Sequence, residues 1–231
     1  PPPPRDPASS NISPPVAAES SHNPYTAPAS HPGGIRGGNY AFLRNPRPLT
    51  HLLLGLLVIF LAKNLFFHIE YYFLRPETRS YDYPLVVILN ILVTLGTYII
   101  FGMWIHRAAS NSRGFGTRGM RCSPGWSVGW YFILIMNLFR PYQAMKEIWQ
   151  VSGDPEHWEK QKGSTILITW WILWLAYQAF IILASTGKAY LEPLRSFPYS
   201  YLTEVTKMSI SALLTIFAII LVSTIHRRQQ A

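Results

Sequence analysis

Four apolar runs, each long enough to cross a lipid bilayer, constrain this chain more than any other feature. They cover about Leu49 to Phe73, Leu85 to Ile105, Thr165 to Ser185 and Met208 to Ile225, inside the window of roughly 17–25 residues that a helix needs to cross about 30 Å of hydrocarbon. Lipid offers no partner to a free peptide group, so such runs are expected to be helical. The first opens with the unbroken Leu52–Ala62 stretch and ends in Tyr71, Tyr72 and Phe73, ring types that settle at headgroup depth. The second carries Asn90, Thr94 and Thr97 at helical spacing, a polar stripe suited to a neighbouring helix rather than to lipid. The chain is 49% hydrophobic and those residues are gathered into runs, which is the composition of a polytopic membrane protein.

A fifth apolar run is too short to be a clear crossing. From Gly125 to Phe139 it holds 15 residues, about 22 Å as a helix. Counting basic residues near the spans decides its role. If it does not cross, thirteen fall on one side, including Arg107, Arg113, Arg118, Arg121, Arg140, Arg227 and Arg228, and five on the other, Arg75, Arg79, Lys188, Arg195 and Lys207; if it crosses, the split is ten to eight. Positive charge concentrates on cytoplasmic loops, so four crossings with both termini cytoplasmic are expected. The fifth run then re-enters the membrane or lies along its interface.

Its local chemistry agrees. Ser123 before Pro124 is a helix start, with serine as N-cap and proline at the first position. Pro141, after Asn137 and Arg140, is expected to break or kink the helix. Beyond it Tyr142, Met145, Ile148 and Trp149 recur at three- and four-residue spacing opposite Lys146 and Glu147, the pattern of an interfacial amphipathic helix. Gly125 and Gly129 fall on one helical face beside Trp126 and Trp130, which points to close packing with another helix. A helix–break–helix element over 123–151 is the expectation.

Residues 1–48 hold 12 of the 19 prolines, together with Gly33, Gly34, Gly37 and Gly38. Such a segment cannot bury a core of its own. Proline has already removed much of its freedom, so laying it along a partner as an extended strap costs less entropy than ordering an average linker. The expected organisation is an extended Pro/Gly-rich arm over 1–48 and a polytopic membrane domain over 49–228. The expected fold class is an all-α integral membrane protein, with four transmembrane helices and a re-entrant or interfacial helix–break–helix segment.

The run Ser123-Pro-Gly-Trp-Ser-Val-Gly-Trp130, followed by Asn137-Leu-Phe-Arg-Pro-Tyr-Gln-Ala-Met-Lys-Glu-Ile-Trp149, resembles the signature of a bacterial membrane-protein family catalogued as domain of unknown function 4328. Trp104-Ile-His-Arg107 and Asn111 before it, and Asp154-Pro155 and Trp170-Trp171-Ile-Leu-Trp174 after it, are similar too. The resemblance covers about Leu49 to Arg228. It implies a bacterial, several-helix integral membrane protein and carries over no catalytic residue; the expected location is the bacterial inner membrane.

Few side chains suggest chemistry. Lys63, His68 and Glu70 lie in the first span, where ionisable groups are functional candidates by default; Lys63 and Glu70 share a face and could pair, although a snorkelling lysine is the simpler expectation. His51, His106 and His226 fall near span ends on the same expected side and could ligate haem iron or a chlorophyll-type magnesium. No cofactor is expected, with such a pigment as the alternative. Arg107, Arg113, Arg118 and Arg121 are expected to attract anionic head groups. Trp170, Trp171 and Trp174 read as interfacial anchors. Gly114-Phe-Gly-Thr-Arg-Gly119 matches the dinucleotide-binding pattern letter for letter, but no strand is expected before it and the match is taken as accidental. The single cysteine, Cys122, leaves no internal disulfide.

No nucleophile–base pair or metal-ligand spacing can be assembled from these residues. The expected function is a non-catalytic accessory or scaffolding subunit of a larger membrane complex, with other membrane subunits and anionic lipids as partners and no nucleic acid. Arg140, Pro141 and the Gly125/Gly129 and Trp126/Trp130 pairs are its expected partner or packing residues. The alternative is a cofactor-binding redox membrane protein; a small transporter or channel is the third reading.

Overall fold

The computed structural model describes residues 35–37, 40–42, 44–69, 84–117, 119–190 and 197–230. Most of the proline-rich arm, Glu70, Tyr71 to Phe73 and Arg118 lie outside the described residues, as does the side chain of His68. A short antiparallel hairpin comes first, β1 (Ile35–Gly37) against β2 (Tyr40–Phe42), with Ile35 opposite Phe42. Every later element is helical.

Four long helices follow the four apolar runs: α1 (Arg47–Ile69), α2 (Pro84–Gly114), α5 (Thr165–Tyr190) and α6 (Phe197–Gln230). All four are long and apolar enough to cross a membrane. Their outward faces are covered with large apolar side chains, such as Leu92 at 59% and Leu183 at 68% exposure, which is what a helix bathed in lipid requires. Three helices outrun the expected spans, α5 by one turn to Tyr190 and α2 and α6 by more. α2 continues through Arg107 and Asn111 to Gly114, about 13 Å past Ile105 at 1.5 Å per residue. α6 begins at Phe197 rather than near Met208.

The helices pack in the order α5, α6, α1, α2. The middle stretch bridges the two outer members of this arc, packing on α2 and α5. Its first half starts as expected: Ser123 Oγ accepts the Trp126 N–H at 3.3 Å, with Pro124 at the head of α3. Here the helix expected over Gly125 to Phe139 is corrected. α3 (Pro124–Gly129) lasts six residues, passes into a 3₁₀ turn over Trp130–Phe132, and ends where Ile133 turns extended at φ −103°, ψ 109°. A second 3₁₀ turn, Met136–Leu138, leads to α4 (Arg140–Val151). Pro141 therefore opens α4 instead of breaking a helix, because its missing N–H costs nothing in a first turn.

α4 is amphipathic, but its apolar face meets protein. Met145, Ile148 and Trp149 are buried in one cluster with Leu53, Trp104, Ile105, Leu167, Trp170, Leu221 and Ile225. Arg140, Gln143 and Lys146 keep solvent exposure. The tryptophans of α5 are corrected too. Trp170 and Trp171 are 3% and 7% exposed, and Trp171 stacks on Trp174 at 4.8 Å. These rings fill the angle between α5, α4 and α2 instead of anchoring at a lipid interface.

Candidate functional site

The end of the bundle where α1 and α5 begin and α2 and α6 finish carries most of the buried polar groups. Most are satisfied by a backbone atom or a neighbour, while Arg113 Nε and His226 Nδ1 are buried here without a hydrogen-bond partner. Asn111, fully buried on α2, accepts the Arg44 N–H at 3.2 Å and donates to the Arg44 carbonyl at 3.1 Å. Arg107 donates to the Asn45 carbonyl at 3.2 Å. One turn earlier Trp104 Nε1 donates to Thr50 Oγ1 at 3.1 Å, and that hydroxyl donates to the Pro46 carbonyl at 2.8 Å. The segment leading into α1 is thereby fixed to the extension of α2.

The loop after α2 is fixed from two sides. Gly116 and Gly119 turn the chain with φ of 80° and 84°, the left-handed region that side chains avoid. That requirement accounts for two glycines of the dinucleotide-like pattern, which follows a helix here. Arg113 donates to the carbonyls of Met120 at 3.3 Å and Cys122 at 2.9 Å. From α4, Glu147 reaches back so that its carboxylate accepts the N–H groups of Arg121 at 3.3 Å and Cys122 at 3.1 Å. Glu147 is only 7% exposed, a correction to the expectation that it lies on a polar outer face. Burial pushes the Cys122 thiol above its ordinary value and the Glu147 carboxylate adds to that, against smaller opposing contributions from Arg140, Arg113 and Arg121.

The far end of α4 is tied to α6 and to the connection that follows. Ser152 Oγ donates to the Ile148 carbonyl at 2.6 Å and accepts from Gln229 Nε2 at 3.2 Å. Gln150 Nε2 donates to the Gln161 carbonyl at 2.5 Å. The Arg228 guanidinium lies 4.1 Å from the centre of the Trp149 ring, a cation–π contact. Asp154 accepts the N–H groups of Glu156 and His157; the His157 bond comes first among the causes that hold its carboxyl below the usual range.

The residues singled out in the sequence are distributed unevenly over this end. His51 and His226 meet edge to face at 6.0 Å, and Gln230 Nε2 lies 3.0 Å from His226 Nε2. Two rings in edge contact leave no gap for a planar macrocycle between them. His106 sits apart, in a groove of about 630 Å³ along α2 with Arg44, Arg107 and Ser110 at its basic end and Leu95, Ile99 and Phe132 along its body. Of the arginines expected at lipid, Arg107 borders that groove while Arg113 is engaged within its own loop. Among the described residues no three His, Cys, Asp or Glu side chains gather in a metal-binding group.

Gly125 and Gly129 do not form a helix–helix seam within the chain. A β-carbon at Gly125 would meet nothing within 4 Å, and one at Gly129 would meet Trp126 Cε3 at 3.1 Å. The second glycine makes room for the Trp126 ring, which stacks on Trp130 at 4.5 Å. Arg140 then lies 5.5 Å from the Trp130 ring centre. In the first span Lys63 Nζ donates to Asn90 Oδ1 of α2 at 3.1 Å and to Asn64 Oδ1 at 3.3 Å. The polar stripe of α2 thus faces α1 at Asn90. Nothing in the sequence singles out Thr50, Gln150 and Gln229, and helical spacing places Glu147 on the outer face of α4. Serine, threonine, glutamine and glutamate at helix ends are common, and spacing says nothing about which backbone groups lie opposite.

Four helices fit to span a bilayer, bridged by a short helical element, define a multi-pass membrane protein. More narrowly, the chain belongs to the family described as Domain of unknown function (DUF4328), whose model matches residues 82–227. The match takes in α2 through nearly all of α6, leaving α1 and the arm outside it. No curated protein and no solved structure matches the chain.

Proposed function

We propose that the chain is a non-catalytic accessory or scaffolding subunit of a larger bacterial membrane complex, set in the inner membrane with both termini cytoplasmic. The observation that carries this reading is the use made of the buried polar groups. Asn111, Glu147 and Gln150 are spent on backbone carbonyls and backbone N–H groups, and Gln229 on the Ser152 hydroxyl. A buried carboxylate that accepts two backbone N–H groups fastens the loop after α2 to α4. The result is a rigid plate at one end of the bundle, suited to presenting a surface.

Partners are engaged through the N-terminal arm and through exposed helix faces, the open side of Gly125 among them. Anionic lipid occupies the groove along α2, its head group beside Arg44 and Arg107 and its chain along Leu95 and Ile99. Purification in a mild detergent, followed by mass spectrometry, is expected to recover a membrane partner in fixed stoichiometry. Deleting residues 1–35 leaves the helical body inserted and releases that partner. Recovery of the same complex after the deletion removes the strap from the proposal, and a chain that purifies alone removes the proposal itself.

The middle stretch is re-entrant in this reading. Phe132, Leu134 and Ile135 at its tip are 84%, 85% and 70% exposed, an apolar knuckle that lipid covers at far less cost than water does. With Cys122 replaced by alanine, a cysteine at Leu134 is expected to resist a membrane-impermeant maleimide applied from either side. Labelling from the cytoplasmic side places the tip in water and rejects re-entry. The native thiol is buried and raised, so Cys122 of the unaltered chain reacts slowly near neutral pH and faster as alkali forms the thiolate.

A further inference from the structure

A half-open cavity of about 510 Å³ lies within the arc of helices, and the way the helices pack explains it. α2 and α5 are the two ends of the arc. They meet through Phe101 and Trp170, whose ring centres are 6.2 Å apart. Away from that contact the cavity lies between them, with α1 and α6 behind it and the bridging element as its floor. Val128, Tyr131, Phe132 and Asn137 contribute that floor. Tyr98 and Phe132, which also line it, are 60% and 84% exposed, so the cavity opens sideways toward the surface that lipid covers.

Its lining is chemically selective. It contains no acidic or basic side chain, so a charged ligand would lose its hydration without compensation. Phe60, Phe101, Trp170, Trp174 and Tyr177 present aromatic surface, to which a flat ring can stack. On the floor, the Tyr131 hydroxyl and Asn137 Oδ1 are buried and have no hydrogen-bond partner. An unpaired donor and an unpaired acceptor are costly in a low-dielectric interior, and both belong to residues that line this one space. The volume falls within the range of roughly 300–1,000 Å³ usual for small-molecule sites.

From these features we propose that the cavity binds a neutral membrane lipophile with a planar, oxygen-bearing head, of the quinone/quinol class, entering laterally between α2 and α5. A ring carbonyl accepts from the Tyr131 hydroxyl. In the quinol a ring hydroxyl oxygen takes the place of that carbonyl, and only the quinol has a ring O–H to donate to Asn137 Oδ1. The flat head lies among the aromatic side chains and its hydrocarbon tail leaves through the mouth beside Phe132. No electron transfer is invoked; the site binds.

The test is a titration of the full chain in detergent with decylubiquinone, read by quenching of tryptophan fluorescence, since Trp170 and Trp174 line the site. Saturable quenching is expected, with 1-decanol as a chain-only competitor failing to displace the quinone. Tyr131→Phe weakens binding of the quinone about fivefold to tenfold, the loss of one hydrogen bond, and Asn137→Leu has the same effect on decylubiquinol, measured by its displacement of the quinone. Ser211→Phe fills the space and abolishes it. Tyr131→Phe carries a second signature: it removes an unpaired buried hydroxyl, so the ligand-free variant melts at the same or a higher temperature while binding the quinone less well. Non-saturating quenching equal in all four proteins shows partition into the micelle and overturns the proposal. So do displacement by decanol, saturable binding indifferent to both floor variants, and a lower melting temperature for ligand-free Tyr131→Phe, which would show the hydroxyl already engaged.

Discussion

Replacing Glu147 with alanine is expected to destabilise the chain by about 2–4 kcal/mol, because the buried bond from the Cys122 N–H contributes roughly 1.5–3 kcal/mol and the longer, part-buried bond from the Arg121 N–H about 0.5–1 kcal/mol. The carboxylate is 7% exposed and reaches across from α4 to the N–H groups of Arg121 and Cys122. Without it the Cys122 N–H is left buried and unpaired. The Arg113 bonds to the Met120 and Cys122 carbonyls remain, but they hold the loop to α2 alone. Glu147→Gln keeps one acceptor and turns an amide N–H toward a backbone donor, so it loses about half as much. Two measurements check this: thermal unfolding in detergent, and the rate at which an uncharged maleimide modifies Cys122. The thiol is 5% exposed in the native chain and becomes reactive once the loop is freed. Unchanged melting together with a protected thiol would show that Glu147 does not hold the loop.

Trp104→Ala is expected to be the other large loss, about 3–5 kcal/mol as for a large buried ring, with about 1 kcal/mol of it from the indole hydrogen bond. The ring is 3% exposed, stacks with Phe101 at 6.2 Å and donates to Thr50 Oγ1 at 3.1 Å. Lipid is as apolar as leucine, so at this depth the loss is of packing contacts rather than of shelter from water. Trp104→Phe keeps most of the ring and loses about 1–2 kcal/mol, chiefly the hydrogen bond and part of the volume. A double-mutant cycle with Thr50→Val isolates that bond; additive losses would show that the two residues are not coupled.

What could be read along the chain follows from the physics of each segment. Hydropathy marked all four long helices, because a span must satisfy its own backbone within lipid and leaves no choice of conformation. The start of α3 was legible for a similar reason: Ser123 and Pro124 act on the turn that contains them. Asn90 was correctly assigned to a neighbouring helix, since an amide facing hydrocarbon has no partner. The helix ends were harder to place. α2 runs on to Gly114 because its polar extension, from Arg107 to Ser112, is held by the segment before α1 and by the loop after it. No local signal marks that support.

The candidate site was less legible than the fold. In sequence Pro141 looks like a breaker because proline ends some helices and begins others, and the extended Ile133 decides the matter from outside the proline's own turn. The three tryptophans of α5 were assigned to a membrane interface by their type, while α4 and α2 enclose two of them. His51, His106 and His226 share one end of the bundle, yet only His51 and His226 touch, since α1 packs on α6 while His106 faces the groove along α2.

By itself, the amino-acid sequence determined that this chain makes four membrane-spanning helices, a capped break between the second and third, and a family membership carried by the motif across that break. These are consequences of short-range rules: hydropathy over a span, a cap within a turn, a run of consecutive residues. Only the tertiary structure decided that Glu147 fastens the loop after α2, that the tryptophans of α5 are core, and that Tyr131 and Asn137 line one cavity. Those outcomes depend on which helices become neighbours. Apolar faces alone specify such pairing weakly in a medium as apolar as themselves, so shape and a few buried polar groups settle it.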